Sequence, residues 1–81
     1  MKLTLLVRAY CHLCDEMRAG LAPLLASGGA TVELIDVDTD AALASRWGDK
    51  VPVLLEGGQE LCHHRLDATA LARWMREATS R

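Results

Sequence analysis

The sequence predicts an α/β fold with the element order β-α-β-α-β-β-α, and three observations carry that expectation. Short apolar runs alternate with helical spacing: Leu3-Thr4-Leu5-Leu6-Val7 and Val51-Pro52-Val53-Leu54-Leu55 read as strands, whereas Leu13, Met17, Leu21, Leu24 and Leu25 recur at the period of a helix. Glycines punctuate the pattern at Gly28-Gly29, Gly48 and Gly57-Gly58, where helices stop or strands reverse. Finally, Cys11-His12-Leu13-Cys14 stands where the first strand gives way to the first helix.

Taken in order, Leu3 to Val7 is apolar on both faces apart from Thr4, which suits a central strand covered by helices on both sides. Arg8, Ala9 and Tyr10 bridge to a helix that opens at about His12. Pro23 falls inside that helix, removes one backbone hydrogen bond and predicts a kink; Ser27-Gly28-Gly29 ends it. Thr31 to Val37 reads as the second strand, with Val32 and Leu34 on one face and Ile35 and Val37 on the other. Asp36, Asp38 and Asp40 crowd its end, as caps and solvating charges for the short helix Ala41 to Trp47 or as a carboxylate cluster for a divalent metal. Val51 to Leu55 is the third strand, opened by a proline that gives up a donor at little cost. Gly57-Gly58 signals a two-residue hairpin into a fourth strand, Gln59 to about Cys62. Asp67 is a good N-cap for a last helix that presents Leu71, Trp74, Met75 and Ala78 to the sheet.

Bulk properties narrow the function. The chain has 81 residues, 51% hydrophobic and 25% charged, and a net charge of -2. That balance lacks the basic stripe of a nucleic-acid binder. No apolar run approaches the ~20 residues of a membrane span. Met1-Lys2-Leu3 runs straight into a strand without a cleavage site behind it, so a cytoplasmic location is expected. Residues 1–81 show no linker, repeat or low-complexity tract and read as one domain. Three cysteines fit a working pair plus one extra better than a structural disulfide framework.

The chemistry lies in the cysteine pair. The first N–H groups of a helix lack intrahelical partners and carry partial positive charge, so a thiolate there is stabilised. Cys11, the first cysteine, is the expected nucleophile, and Cys14 the resolving thiol that closes a disulfide with it. His12 is expected to add positive charge or a hydrogen bond, against Asp15 and Glu16 one turn in. Half a zinc site is the competing reading of C-x-x-C, although His63 and His64 are adjacent rather than spaced as zinc ligands.

Cys11-His12-Leu13-Cys14 followed by Asp15, then Val51-Pro52, the Gly57-Gly58 hairpin and a closing helix, resembles the thioredoxin-fold superfamily. It is most similar to small bacterial glutaredoxin-like proteins, and the match runs over nearly the whole chain. The resemblance implies a thioredoxin-like four-stranded mixed sheet flanked by three helices. It also implies a cis Pro52 against the active-site disulfide, with the Val51 backbone able to pair with an extended peptide or glutathione. Arg8 falls where glutaredoxins often place a lysine that favours the thiolate and a glutathione carboxylate, and Tyr10 where an aromatic precedes the first cysteine. Glutaredoxins that bind glutathione well carry a Gly-Gly pair before the last helix. Here the stretch is Cys62-His63-His64-Arg65-Leu66-Asp67, Asp67 is the nearest carboxylate for a glutathione amine, and Lys50 replaces the usual threonine. Cys62 and His63 are therefore expected to crowd the γ-glutamyl pocket and weaken glutathione turnover.

The leading expectation is a thiol–disulfide oxidoreductase that works as a monomer on disulfide-containing proteins or small thiols. It needs no cofactor beyond an electron source, either glutathione or a reductase. Two other readings stay open: a metal or iron–sulfur carrier using Cys11, Cys14, Cys62 and a histidine such as His63, and a redox-inert adaptor whose cysteines merely pack.

Overall fold

The apolar run after Met1 forms an interior strand of a four-stranded sheet in the computed structural model, which describes residues 1–79. β1 (Lys2–Val7) leads into α1 (His12–Ala26), β2 (Thr31–Asp36), a 3-10 turn (Val37–Thr39) and α2 (Ala41–Trp47). Then come β3 (Val53–Glu56), β4 (Gln59–His63) and α3 (Ala68–Thr79). The strand order is β2-β1-β3-β4; β1 and β2 are parallel, and both other pairings are antiparallel. The element order and the mixed sheet are as the sequence predicts. Among the described residues no helix is long and apolar enough to cross a membrane.

β1 is apolar on both faces because both are covered. Leu3, Leu5 and Val7 pack with Met17, Leu21 and Leu24 of α1, Leu54 of β3 and Leu71 of α3. Leu6 joins Val37, Trp47, Val53 and Leu55 on the opposite face, beneath α2. At the end of α1, Gly28 adopts φ 78 and donates to the Leu25 carbonyl, a left-handed exit that costs glycine little. Gly57 and Gly58 both have positive φ, 58 and 83, as a type I′ hairpin turn requires.

Strand boundaries differ from expectation for physical reasons. β2 stops at Asp36 because the Asp36 carboxylate accepts from the Asp38 N–H at 2.8 Å and starts the 3-10 turn, which drives Val37 into the core. Leu34 stays 45% exposed because β2 is an edge strand. β3 begins at Val53 rather than Val51, since Pro52 has no N–H for the ladder. The Val51–Pro52 peptide bond is cis.

β4 extends one residue further than expected and carries a bulge. Leu54 pairs with Cys62 and Leu55 with Glu60, so Leu61 is an extra residue between them. The extra residue shifts the side-chain alternation, so Cys62 lies opposite Leu54 and packs with it against the α1 face. Asp67 caps α3 as predicted, its carboxylate accepting from the Ala70 N–H at 2.9 Å. Of the positions expected to face the sheet, Leu71 is buried and Trp74 half-buried; the side chains of Met75 and Ala78 lie outside the described residues.

Candidate active site

The pairing register collects the candidate residues at one end of the sheet. Leu6 pairs with Val53 and Val53 with His63, so the end of β1, the start of β3 and the end of β4 lie together. Tyr10 and Cys11 follow the first, Val51 and Pro52 precede the second, and His64 follows the third.

Cys11 is the N-cap of α1, with extended backbone at φ -104 and ψ 103. Its Sγ accepts a hydrogen bond from the Cys14 N–H at 3.1 Å. The two sulfurs are at disulfide distance, with Cα atoms 5.2 Å apart. Cys14 is buried at 3% exposure, whereas Cys11 is partly exposed, so an incoming group reaches Cys11 first. The polar group bound to the Cys11 sulfur is the helix-start amide. His12 is engaged elsewhere: its Nε2 lies 3.4 Å from Glu16 Oε1, one turn along an exposed helix face.

Arg8 does not stand free at the site. Its guanidinium donates to both Asp38 carboxylate oxygens, at 3.0 and 2.9 Å, and to the Gly48 carbonyl at 3.2 Å. The Asp38 hydrogen bond and charge hold it still more firmly protonated than an ordinary arginine. This network ties the end of β1, and hence the base of the cysteine loop, to α2. It also separates the three aspartates: Asp36 and Asp40 cap helical turns, and Asp38 pairs with Arg8. Tyr10 is fully exposed with φ 57, its ring presented to solvent beside Cys11.

The other proposed substrate residues separate as well. Pro52 is fully buried and Val51 half-buried; the Lys50 ammonium lies over the Trp47 ring at 5.6 Å. One Asp67 oxygen is used as the α3 cap. His63 turns to Glu60, its Nδ1 3.3 Å from the carboxylate, on the face the bulge shares between them. Cys62 is half-buried and packs against the core; the bulge at Leu61 is the reason.

Burial pushes the Cys62 thiol above its ordinary range, offset in part by the Asp67 backbone N–H. A thiol that titrates higher folded than unfolded contributes stability below the ordinary thiol range, and that contribution is lost as pH rises through it. In the oxidised protein, where Cys11 and Cys14 do not titrate, the urea midpoint is expected to fall further in wild type than in Cys62→Ala between about pH 8 and pH 10. Equal falls would show that Cys62 burial has no part in the alkaline response.

His64, which the sequence places among the side chains that stand where the resembled proteins carry glycines, sits at φ 63 and bonds to the segment before β3. A groove of about 240 Å³, lined by Leu13, Glu16, Met17, His64, Arg65 and Leu66, lies between the first turns of α1 and the connection from β4 to α3. A groove of about 370 Å³ between α1 and β2, with Leu25, Val32 and Leu34 among its walls, contains no thiol. Among the described residues no group of three or more Cys, His, Asp or Glu side chains is placed to hold a metal ion.

Comparison with known proteins agrees with this geometry. The model of the Glutaredoxin-like domain (DUF836) family matches residues 2–76. The X-ray structure of target protein XcR50 from X. campestris is 39% identical, with 93% of this chain and 96% of that one covered and a TM-score of 0.75. The solution structure of protein Ne2328 from Nitrosomonas europaea is 36% identical over 90% of this chain and 88% of that one, with a TM-score of 0.78. The holo form of poplar glutaredoxin C1 shares the fold at 15% identity, covering 98% of this chain and 79% of that one, with a TM-score of 0.65. A search of curated proteins finds no match. A mixed four-stranded sheet, a cysteine pair at the start of α1 and a family match over nearly the full length agree, and the chain belongs to the glutaredoxin-like domain family.

Proposed function

We propose that this protein is a thiol–disulfide oxidoreductase in which Cys11 is the nucleophile and Cys14 the resolving thiol. The observation that carries the reading is the asymmetry of the pair: Cys11 is partly exposed, caps α1 and accepts the Cys14 N–H at 3.1 Å, while Cys14 is buried. In the reduced protein that N–H and the helix start favour the Cys11 thiolate. The thiolate attacks one sulfur of a substrate disulfide and forms a mixed disulfide, and the other substrate sulfur leaves as a thiolate. The Cys14 thiolate then attacks Cys11 Sγ. The Cys11–Cys14 disulfide forms and the second substrate thiolate leaves, so two electrons have passed from protein to substrate. Glutathione or a reductase, supplied from outside, returns them.

Substrates are disulfide-containing proteins or small thiols. An extended substrate lies along the Val51 main chain beside Pro52, with Tyr10 as an exposed aromatic contact. Glutathione use is supported by family membership and by a shared fold with the buckwheat glutaredoxin–glutathione complex, 21% identical over 94% of this chain and 69% of that one with a TM-score of 0.56. A metal-carrier role finds less support, since Cys62 is turned to the core and His63 to Glu60.

Alkylation of the reduced protein across a pH series, with peptide mapping, tests the assignment. Cys11 is expected to react first and at a pH where a free thiol, with a pKa of ~8.5, is still protonated. Faster reaction at Cys14 or Cys62 would reverse it.

A further inference from the structure

Two non-glycine residues with positive φ among those described are Tyr10, at 57, and His64, at 63, and both sit at the end of the sheet that holds the dithiol. A left-handed backbone disfavours a residue with a Cβ and persists only where its surroundings impose it. If the connection from β4 to α3 required only the turn, glycine would make it without that cost. The His64 ring has a partner that glycine would lack. Its Nε2 lies 3.0 Å from the Asp49 carbonyl oxygen, while its backbone N–H donates to the Pro52 carbonyl at 2.9 Å. A carbonyl only accepts, so Nε2 carries the proton in this bond. One residue thus grips the Asp49–Pro52 segment at both ends, and Lys50 and Val51 lie between the two points.

We infer that His64 is a positioning residue of the substrate edge, its ring fixing the Lys50–Val51 main chain beside the dithiol so that an extended polypeptide can pair with it. This rests on the oxidoreductase reading and adds to it a preference: substrates with a peptide main chain gain from the grip, and small disulfides without one do not. The Pro52 bond needs only a backbone N–H, so the histidine-specific part is the bond to Asp49. His64 also lines a groove with Leu13 and Met17, which links the grip to the first turns of α1.

The test uses the full chain with two substrates, a glutathionylated cysteine peptide and hydroxyethyl disulfide. His64→Gly keeps the left-handed backbone and removes the ring. It is expected to unfold at a temperature no lower than wild type and to leave the pH profile of Cys11 alkylation unmoved. It should raise KM for the peptide by about fivefold more than KM for hydroxyethyl disulfide, the factor worth roughly one net hydrogen bond. His64→Gln, whose amide nitrogen reaches as far as Nε2, should restore the peptide preference. An unchanged ratio of the two KM values in His64→Gly, or no recovery in a folded His64→Gln, would overturn the inference. A wild-type protein that turns over neither disulfide would instead overturn the oxidoreductase reading on which it rests.

Discussion

Cys11→Ser is expected to reduce disulfide exchange to the uncatalysed background, because the hydroxyl is a far weaker nucleophile than a thiolate held at a helix start. Cys14→Ser should behave differently. Its first step survives, so incubation with a disulfide-bonded protein should trap a mixed disulfide on Cys11, visible by non-reducing electrophoresis and by intact mass. The two outcomes follow from the burial asymmetry: Cys14 is enclosed at 3% exposure, whereas Cys11 is open to a partner. An adduct that accumulates on Cys14 in the Cys11→Ser protein, with full loss of reaction in Cys14→Ser, would interchange the roles. Turnover in the double variant would show that the pair is not the reacting centre.

The second large effect is on stability. Leu5 is fully buried on an interior strand and pairs in register with Leu34 of β2 and Leu54 of β3. Leu5→Ala removes a side chain packed among α1, β3 and α3, at a cost of about 2–5 kcal/mol. A domain of this length has a total stability of roughly 4–12 kcal/mol, so the variant should be close to half-unfolded or well below the wild-type urea midpoint. Leu34→Ala, at a position 45% exposed on the sheet edge, should cost below about 1 kcal/mol. Urea titration of both variants decides the matter. Equal losses would mean that the core between β1 and α1 is not where the stability resides.

The fold was legible because each element carries a local signal that agrees with its neighbours. The helical stripe from Leu13 to Leu25 predicts α1 and its buried face, and the two-sided apolar run from Leu3 to Val7 predicts an interior strand. The capping role of Asp67 and the positive-φ pair Gly57-Gly58 depend only on residues a few positions apart. The dithiol belongs to the same class: two cysteines at a helix start are placed by the helix itself.

What the sequence by itself determined, then, are the features set by interactions within a turn or along one strand: the element order, the helix-start cysteine pair and the caps. The tertiary structure decided which distant groups meet. Arg8 reads locally as a free charge beside the thiols, and only the packing of β1 against α2 hands it to Asp38 and Gly48. Cys62 and His63 read as neighbours of the site. One extra residue at Leu61 turns the first to the core and the second to Glu60, because a strand's side chains alternate and a single insertion resets which face each meets. The sequence marks His64 only as a side chain where the resembled proteins carry glycine; its conformation and its bond to Asp49 exist only where the end of β4 meets the segment before β3.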